Sequence, residues 1–376
     1  GVPGSRCEVD AAEGKMGKGT CQSYHLFPSG VLPKAALFAL PVGIACAVVT
    51  SLEENEWHTK TLQAWNVKSA GYTAFCSLLA FLVVFRSSQA YSRYWKGCQL
   101  AQAMIGNFFD ATSGIVSFTI SSKADQERIV EFKQTIIAMT SLLTAVCFCD
   151  MAMMDAQSEK LPGLETIGWQ NWDDETKLAV QKTGDEKVQL CFFWWQCYAS
   201  MAVNEGVLNV PPPILSRVFA QMGAGLHCYE QATQLSEVPF PFHYTHATVW
   251  LLFIHMIFTP LAVTTWTERP LLAFLFSFIL VFVFVALFLI SAQLEHPFGE
   301  DEADVDVCEL QTRSNANLRL LLTEEATRTP IFSEGRRRGN ANMDNAPGTC
   351  LLRDTAKVGD ISSSDDERSG VLLSLS

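Results

Sequence analysis

Ser77, Phe81 and Phe85 stand four residues apart within an uncharged run. On a helix such positions share one face, drifting by about 40° per step, so they form a single stripe of one hydroxyl and two aromatic rings. Repeated around an axis, rings of Phe make a narrow apolar constriction that gates by excluding water. The same spacing also serves a stripe that faces lipid or a neighbouring helix. A second set is Pro211-Pro212-Pro213-Ile214, which opens a helical pattern. Proline is favoured in the first helical turn, where its missing N–H would be an orphan, so the run predicts a sharp helix start. Ile214 then lies beside the positive end of that helix's dipole, a place that suits an anion and equally an ordinary helix start. A third set runs from Gln293 through Glu295, His296, Pro297, Phe298 and Gly299 to Glu300, Asp301, Glu302, Asp304 and Asp306. A turn followed by close-spaced carboxylates offers hard oxygens, of which Ca²⁺ takes six to eight. The Gly and closing Glu of an EF-hand loop are missing, and a solvated acidic segment has the same composition. His243, His246 and His255 match no ligand spacing and have no carboxylate beside them, so they read as packing or hydrogen-bonding residues.

The elements that must position these sets are apolar and long. The chain is 49% hydrophobic and only 18% charged, which calls for a search for membrane spans. Residues 35–52, 69–85, 238–267 and 271–294 contain no Asp, Glu, Lys or Arg. Each reaches the roughly 17 residues needed to cross a bilayer core, which predicts four transmembrane helices. Two further apolar stretches, 134–149 and 188–204, are marginal in length and carry Gln or Asn, so buried helices outside the membrane suit them better. The segment from 86 to 237 is far longer than a connecting loop and carries helical patterning over 125–139 and 215–232. The expected fold is therefore all-α: a multi-pass membrane protein with a large extramembrane helical body.

Arg86, Arg93 and Lys96 cluster just after the second span, which places both termini and the long middle region on the cytosolic or stromal side. The net charge of -12 says little about any ion carried, because selectivity depends on charges near a pore. None of the 12 cysteines forms a C-x-x-C pair, and most sit in apolar runs, where Cys behaves as a small hydrophobe. Neither a zinc site nor a disulfide framework is expected. Residues 1–28, Gly- and Lys-rich and without an initial Met, read as a flexible or processed segment. Residues 29–310 read as the membrane domain, and 311–376 as a disordered, solvated tail in which apolar periodicity fades.

Taken together, these segments resemble the bestrophin family, more closely its bacterial, plant and algal branch than its animal one. The stretch from Phe85-Arg86 through Ala90-Tyr91 to Arg93-Tyr94-Trp95 is similar to the family's F-R-x-N-x-A-Y-x-R-W-W. Pro212-Pro213-Ile214, Cys228-Tyr229-Glu230, Pro239-Phe240-Pro241-Phe242-His243-Tyr244 with His246, and the Pro297-Phe298-Gly299 turn follow in the family's order, from about residue 31 to residue 307. The resemblance implies a homopentamer in a lipid bilayer with one axial pore for small anions, chloride and bicarbonate among them. It places Ser77, Phe81 and Phe85 at the pore neck and Ile214 at a second, cytosolic or stromal aperture. It puts Gln293, His296, Asp301 and Asp304 at the positions of the calcium clasp of animal members, so Ca²⁺ is the one cofactor it suggests. Ser77 replaces the aliphatic residue of many relatives, Ser88 an Asn, Tyr94 a Trp, and His296 the Asn of the animal clasp.

No catalytic triad, P-loop or metal-hydrolase motif appears, so an enzyme is not expected, nor is a nucleic-acid partner. The expected function is a passive anion channel. The alternative is a non-conducting membrane scaffold or regulatory subunit of the same fold, and a plasma membrane and a chloroplast thylakoid membrane suit either.

Overall fold

The structure, a computed structural model, describes residues 30–54, 69–153, 164–238, 240–299 and 304–328. Among them there is no strand. The helices are α1 (Val31–Glu54), α2 (Ser69–Phe118), α3 (Gln126–Met151), α4 (Asp174–Lys182), α5 (Lys187–Asn204), α6 (Pro212–Glu237), α7 (Phe242–Val263), α8 (Pro270–Leu294), α9 (Val307–Leu320) and α10 (Glu324–Thr327). Residues 1–28, expected to be flexible or processed, lie outside the described residues, as does Asp301. The chain divides into two compact units, Gly1–Thr323 and Glu324–Ser376. In the second, α10 is a single turn, followed by the Arg328 N–H donating to the Glu324 carbonyl.

The uncharged runs become α1, the first part of α2, α7 and α8. α2 differs from expectation in length. Its 50 residues extend about 75 Å at 1.5 Å per residue, more than twice the roughly 30 Å of a bilayer's hydrocarbon core. One continuous helix thus carries the apolar stripe and the framework of the body below it. By length and composition, five stretches of described residues can cross a membrane, and α3 lies in one of them. Its apolar window is 78% buried inside the protein, against 28% for α1 and for α8, which is the burial of a core helix.

α1 packs most extensively against α8, through small residues. Ala35, Ala39 and Cys46 are fully buried there, opposite Ala273, Val281 and Val285. A Cβ on Gly43 would come 2.9 Å from the Phe274 ring, so the two helices approach closely at this glycine. Leu79 and Val83 of α2 bury against Leu252 of α7.

Outside that layer, α2 runs antiparallel to α6: Gly114 faces Val218, and Gly225 lies under the Phe108 ring. α3 packs against α5, α9, α2 and α6, which together enclose Phe108, Ile115, Leu143, Phe148, Trp195 and Met222. A buried polar line crosses this core, from Thr112 Oγ1 to Thr140 Oγ1 (2.9 Å) and on to Trp195 Nε1, which donates to the Thr140 hydroxyl at 3.0 Å. The patterns expected over 134–149, 188–204 and 215–232 fall within α3, α5 and α6.

Two expectations are corrected. The domain boundary after residue 310 falls inside α9, which runs to Leu320 with Gln311, Ser314, Asn315 and Leu318 buried. This helix is held by amides. Asn315 accepts from the Ser141 hydroxyl at 2.6 Å and donates to the Glu165 carbonyl, while Gln311 donates to the Ser141 and Glu165 carbonyls. Fading apolar periodicity therefore marked a polar seam where a tail was expected. Cys308 is disulfide-bonded, although spacing pointed to no disulfide framework. Burial pushes the Cys191 thiol up to about 12, as suits an inert core residue.

Candidate functional site

α2 has a covered and an uncovered side. Tyr72, Leu79, Val83, Arg86 and Ala90 are buried, whereas Ser77, Phe81 and Phe85 lie on the open side. Phe81 is 68% and Phe85 36% exposed, so the described residues leave Phe81 open and cover Phe85 in part. The two rings stack at 6.4 Å between centroids and 21° between planes, and the Phe85 ring also meets Tyr244 of α7 at 5.8 Å. The Ser77 hydroxyl turns back to donate to the Thr73 carbonyl at 2.9 Å, which leaves its oxygen lone pairs as an open polar spot above the rings.

Ile214 sits in the first turn of α6, 48% exposed, with its N–H and that of Leu215 donating to the Pro211 carbonyl. The helix start predicted from the proline run is present. Because α6 runs antiparallel to α2, Ile214 belongs near the far end of α2, beyond the Gly114–Val218 contact. Along the helix axis that is roughly 45 Å from Phe85.

The acidic segment forms a turn directly after α8. The Gly299 N–H donates to the His296 carbonyl at 3.4 Å, and the Val305 N–H to the Pro297 carbonyl at 2.9 Å. A Cβ on Gly299 would come 2.7 Å from Asp304 Oδ2 and 3.6 Å from the His296 carbonyl oxygen, so Asp304 would have to shift to admit a side chain there. The structure thus brings His296 and Asp304 together, with Gln293 half-buried on the last turn of α8. A carboxylate and a carbonyl supply two of the six to eight oxygens of a calcium shell. Among the described residues no group of three or more His, Cys, Asp or Glu that could hold a metal ion is found, and Asp301 lies outside them.

Two clusters escaped the sequence reading. The first joins three elements at Glu295. Its Oε2 accepts from Arg86 Nη2 at 3.0 Å, its Oε1 accepts from the Phe240 N–H at 3.0 Å, and the Arg86 guanidinium lies over the Phe288 ring, 4.3 Å from its centroid. Two helical turns further along α2, Arg93 Nη2 donates to the Leu235 and Val238 carbonyls at the end of α6. Both arginines stand in the segment after the second span, where they read as orienting charges and as part of the family-like stretch, without a partner to bind. The second cluster lies between α2 and α7. Tyr72 Oη meets Thr259 Oγ1 at 2.9 Å and His255 Nδ1 at 3.4 Å, with Cys76 Sγ 3.9 Å from the same nitrogen. His255 is thus a hydrogen-bonding core residue, as expected, whereas His243 and His246 are exposed.

A helical membrane protein with a long, one-sided helix and a helical body is the class that this architecture defines. Residues 20–320 match the family described as "Bacterial/Fungal Bestrophin protein", and the chain belongs to the bestrophin family. Among solved structures, the fold is similar to a bacterial bestrophin homologue from Klebsiella pneumoniae, at 12% identity and a TM-score of 0.64, covering 78% of this chain and 99% of that one. Two variants of that protein align with the same TM-score at 13% and 14% identity, covering 76% and 79% of this chain and 98% and 99% of theirs. No curated protein matches the chain. The protein is an integral membrane protein of a family of channels rather than enzymes.

Proposed function

We propose that the chain is an anion channel that assembles as a homopentamer with four membrane spans per copy, α1, the first part of α2, α7 and α8. Five copies of α2 surround one axial pore. Phe81 and Phe85 form two successive apolar rings at its neck, below a ring of Ser77 hydroxyls, and Ile214 forms a second aperture at the far end of the body. Chloride and bicarbonate are the permeant ions in this reading.

The observation that carries it is the stacked Phe81–Phe85 pair on the uncovered side of a helix whose opposite side is buried. An apolar ring excludes water and so sets a barrier to a hydrated ion, and its height falls as the ring widens. The test is the double substitution Phe81→Ala with Phe85→Ala, recorded in planar bilayers under a chloride gradient. Current at a given voltage is expected to rise severalfold, while reversal potentials in chloride and in bicarbonate report the anion. The packing control is Leu79→Ala with Val83→Ala, on the buried side. Wild-type currents from a normally assembled Phe double variant would overturn the reading. A protein silent in every form would favour a scaffold, and native mass spectrometry gives the copy number.

A further inference from the structure

We propose that Arg86 and Glu295 are positioning residues of the neck, a buried charge latch that sets the rotation of α2 and hence the direction in which Phe81 and Phe85 point; this rests on the pore reading above. The side chains of the pair are 5% and 11% exposed. Arg86 follows Phe85 immediately, so the two side chains diverge by about 100° around the helix, and Arg86 diverges from Phe81 by about 140°. Anchoring Arg86 to α8 therefore aims both rings away from α8.

Glu295 is the hub because each of its oxygens holds a different element. Oε2 takes Arg86 of α2, and Oε1 takes the Phe240 N–H in the turn between α6 and α7. The turn after α8 is docked on α2 as well: a Cβ on Gly97 would come 2.8 Å from the Pro297 ring. Arg93 closes the frame by holding the Leu235 and Val238 carbonyls. Arg86 Nε and Nη1 have no hydrogen-bond partner among the described residues. Glu295 is thus the one carboxylate of the described residues that holds this guanidinium, assisted by the Phe288 face. Between Cys76 and Arg93 the Arg86–Glu295 contact is, among the described residues, the side-chain hydrogen bond that ties α2 to another element. With side chains reaching about 5–6 Å from the axis, a 20° rotation moves each ring by roughly 2 Å, repeated in every copy.

The pair is tested by the accessibility of the neck. In a Phe85→Cys background, a positively charged methanethiosulfonate reagent is applied to the assembled channel. Labelling is followed by intact mass and current together, with the wild type as blank for the native cysteines. Glu295→Gln keeps the acceptor for the Phe240 N–H and removes the charge that holds Arg86. Arg86→Met with Glu295→Gln removes both buried charges and covers the case in which the single variant misfolds. Labelling is expected to slow by roughly tenfold in both, because a thiol turned from an open to a packed environment loses access. Unchanged labelling rates, with labelling still altering the current, would overturn the latch and leave the pore reading standing. Labelling of Phe85→Cys without any effect on current would overturn the pore reading, and the latch with it.

Discussion

α3 and α8 have nearly the same length, 26 and 25 residues, and both are apolar enough to cross a membrane. Their surroundings differ. α3 is wrapped by α2, α5, α6 and α9, so almost its whole circumference is covered by protein. α8 buries a strip of small residues against α1 and leaves Leu271, Leu275, Phe276, Ile279 and Val283 open. The first is held by removal of apolar surface from water, which rewards any cover. The second, in lipid, gains nothing from apolar cover as such and depends on close contact between helices. The body should therefore be rigid and intolerant, whereas the membrane layer should be adaptable, with its uncovered faces left to lipid or other copies. α2 belongs to both regimes, which makes it the route by which a rigid body can set the position of the Phe81–Phe85 stripe in an adaptable layer.

The sharpest way to test this contrast is at Trp195, fully buried in the body, with its indole N–H committed to Thr140 and its ring edge-on to Phe219. Trp195→Ala removes the largest buried side chain and orphans part of the Thr112–Thr140 line. It should cost about 3–5 kcal/mol. In thermal melting of the purified, detergent-solubilised protein that is a fall of roughly 10 °C. A fall of only a degree or two would mean that the body relaxes as readily as the membrane layer, and the contrast would collapse.

A middle-sized effect is expected at Gly225. A Cβ there would come 2.5 Å from two carbons of the Phe108 ring, and that ring is 1% exposed, so it has nowhere to go. Gly225→Ala should destabilise by about 1–3 kcal/mol despite the better helix propensity of alanine. Melting should show it, and a stabilised variant would mean that Phe108 has room the structure does not show.

The uncharged runs made the membrane layer legible, because a bilayer core admits few charges and the constraint is visible one residue at a time. The start of α6 was legible for a similar reason, since a proline run has a local meaning at Pro212. The far end of α2 was not. After Phe85 the helix leaves apolar surroundings and continues on alternating small, polar and aromatic residues whose cover comes from α6, more than a hundred positions away. α9 was missed because Gln311 and Asn315 are buried by hydrogen bonds, and an amide on a buried face looks like an amide in a tail. The Arg86–Glu295 pair spans 209 positions, and each residue alone reads as an ordinary flank of an apolar run. Of the expected site residues, Ser77, Phe81 and Phe85 share one face because they lie on one helix. His296 and Asp304 came together because both border Gly299.

The smallest expected effect tests the contrast most closely, at Gly43. A Cβ there would come 2.9 Å from Phe274 Cε2 and 3.4 Å from the Phe274 carbonyl, so on distance alone Gly43→Ala resembles Gly225→Ala. Both glycines lie inside helices with ordinary backbone angles, and both substitutions carry the same gain of roughly 0.5–1 kcal/mol in helix propensity. What differs is the freedom of the opposing ring. Phe108 is sealed in the body, whereas Phe274 is only partly covered and can swing along the face of α8. The few tenths of an ångström needed at Gly43 are available without moving backbone, so the packing cost and the propensity gain should nearly cancel. The net change should stay within about 0.5 kcal/mol, a melting shift of about 2 °C or less. Because the propensity term is common to both, the difference between the two variants isolates the compliance of the two layers. If Gly43→Ala destabilises as much as Gly225→Ala, the α1–α8 seam is as unyielding as the body's core. The membrane layer would then be a second rigid unit.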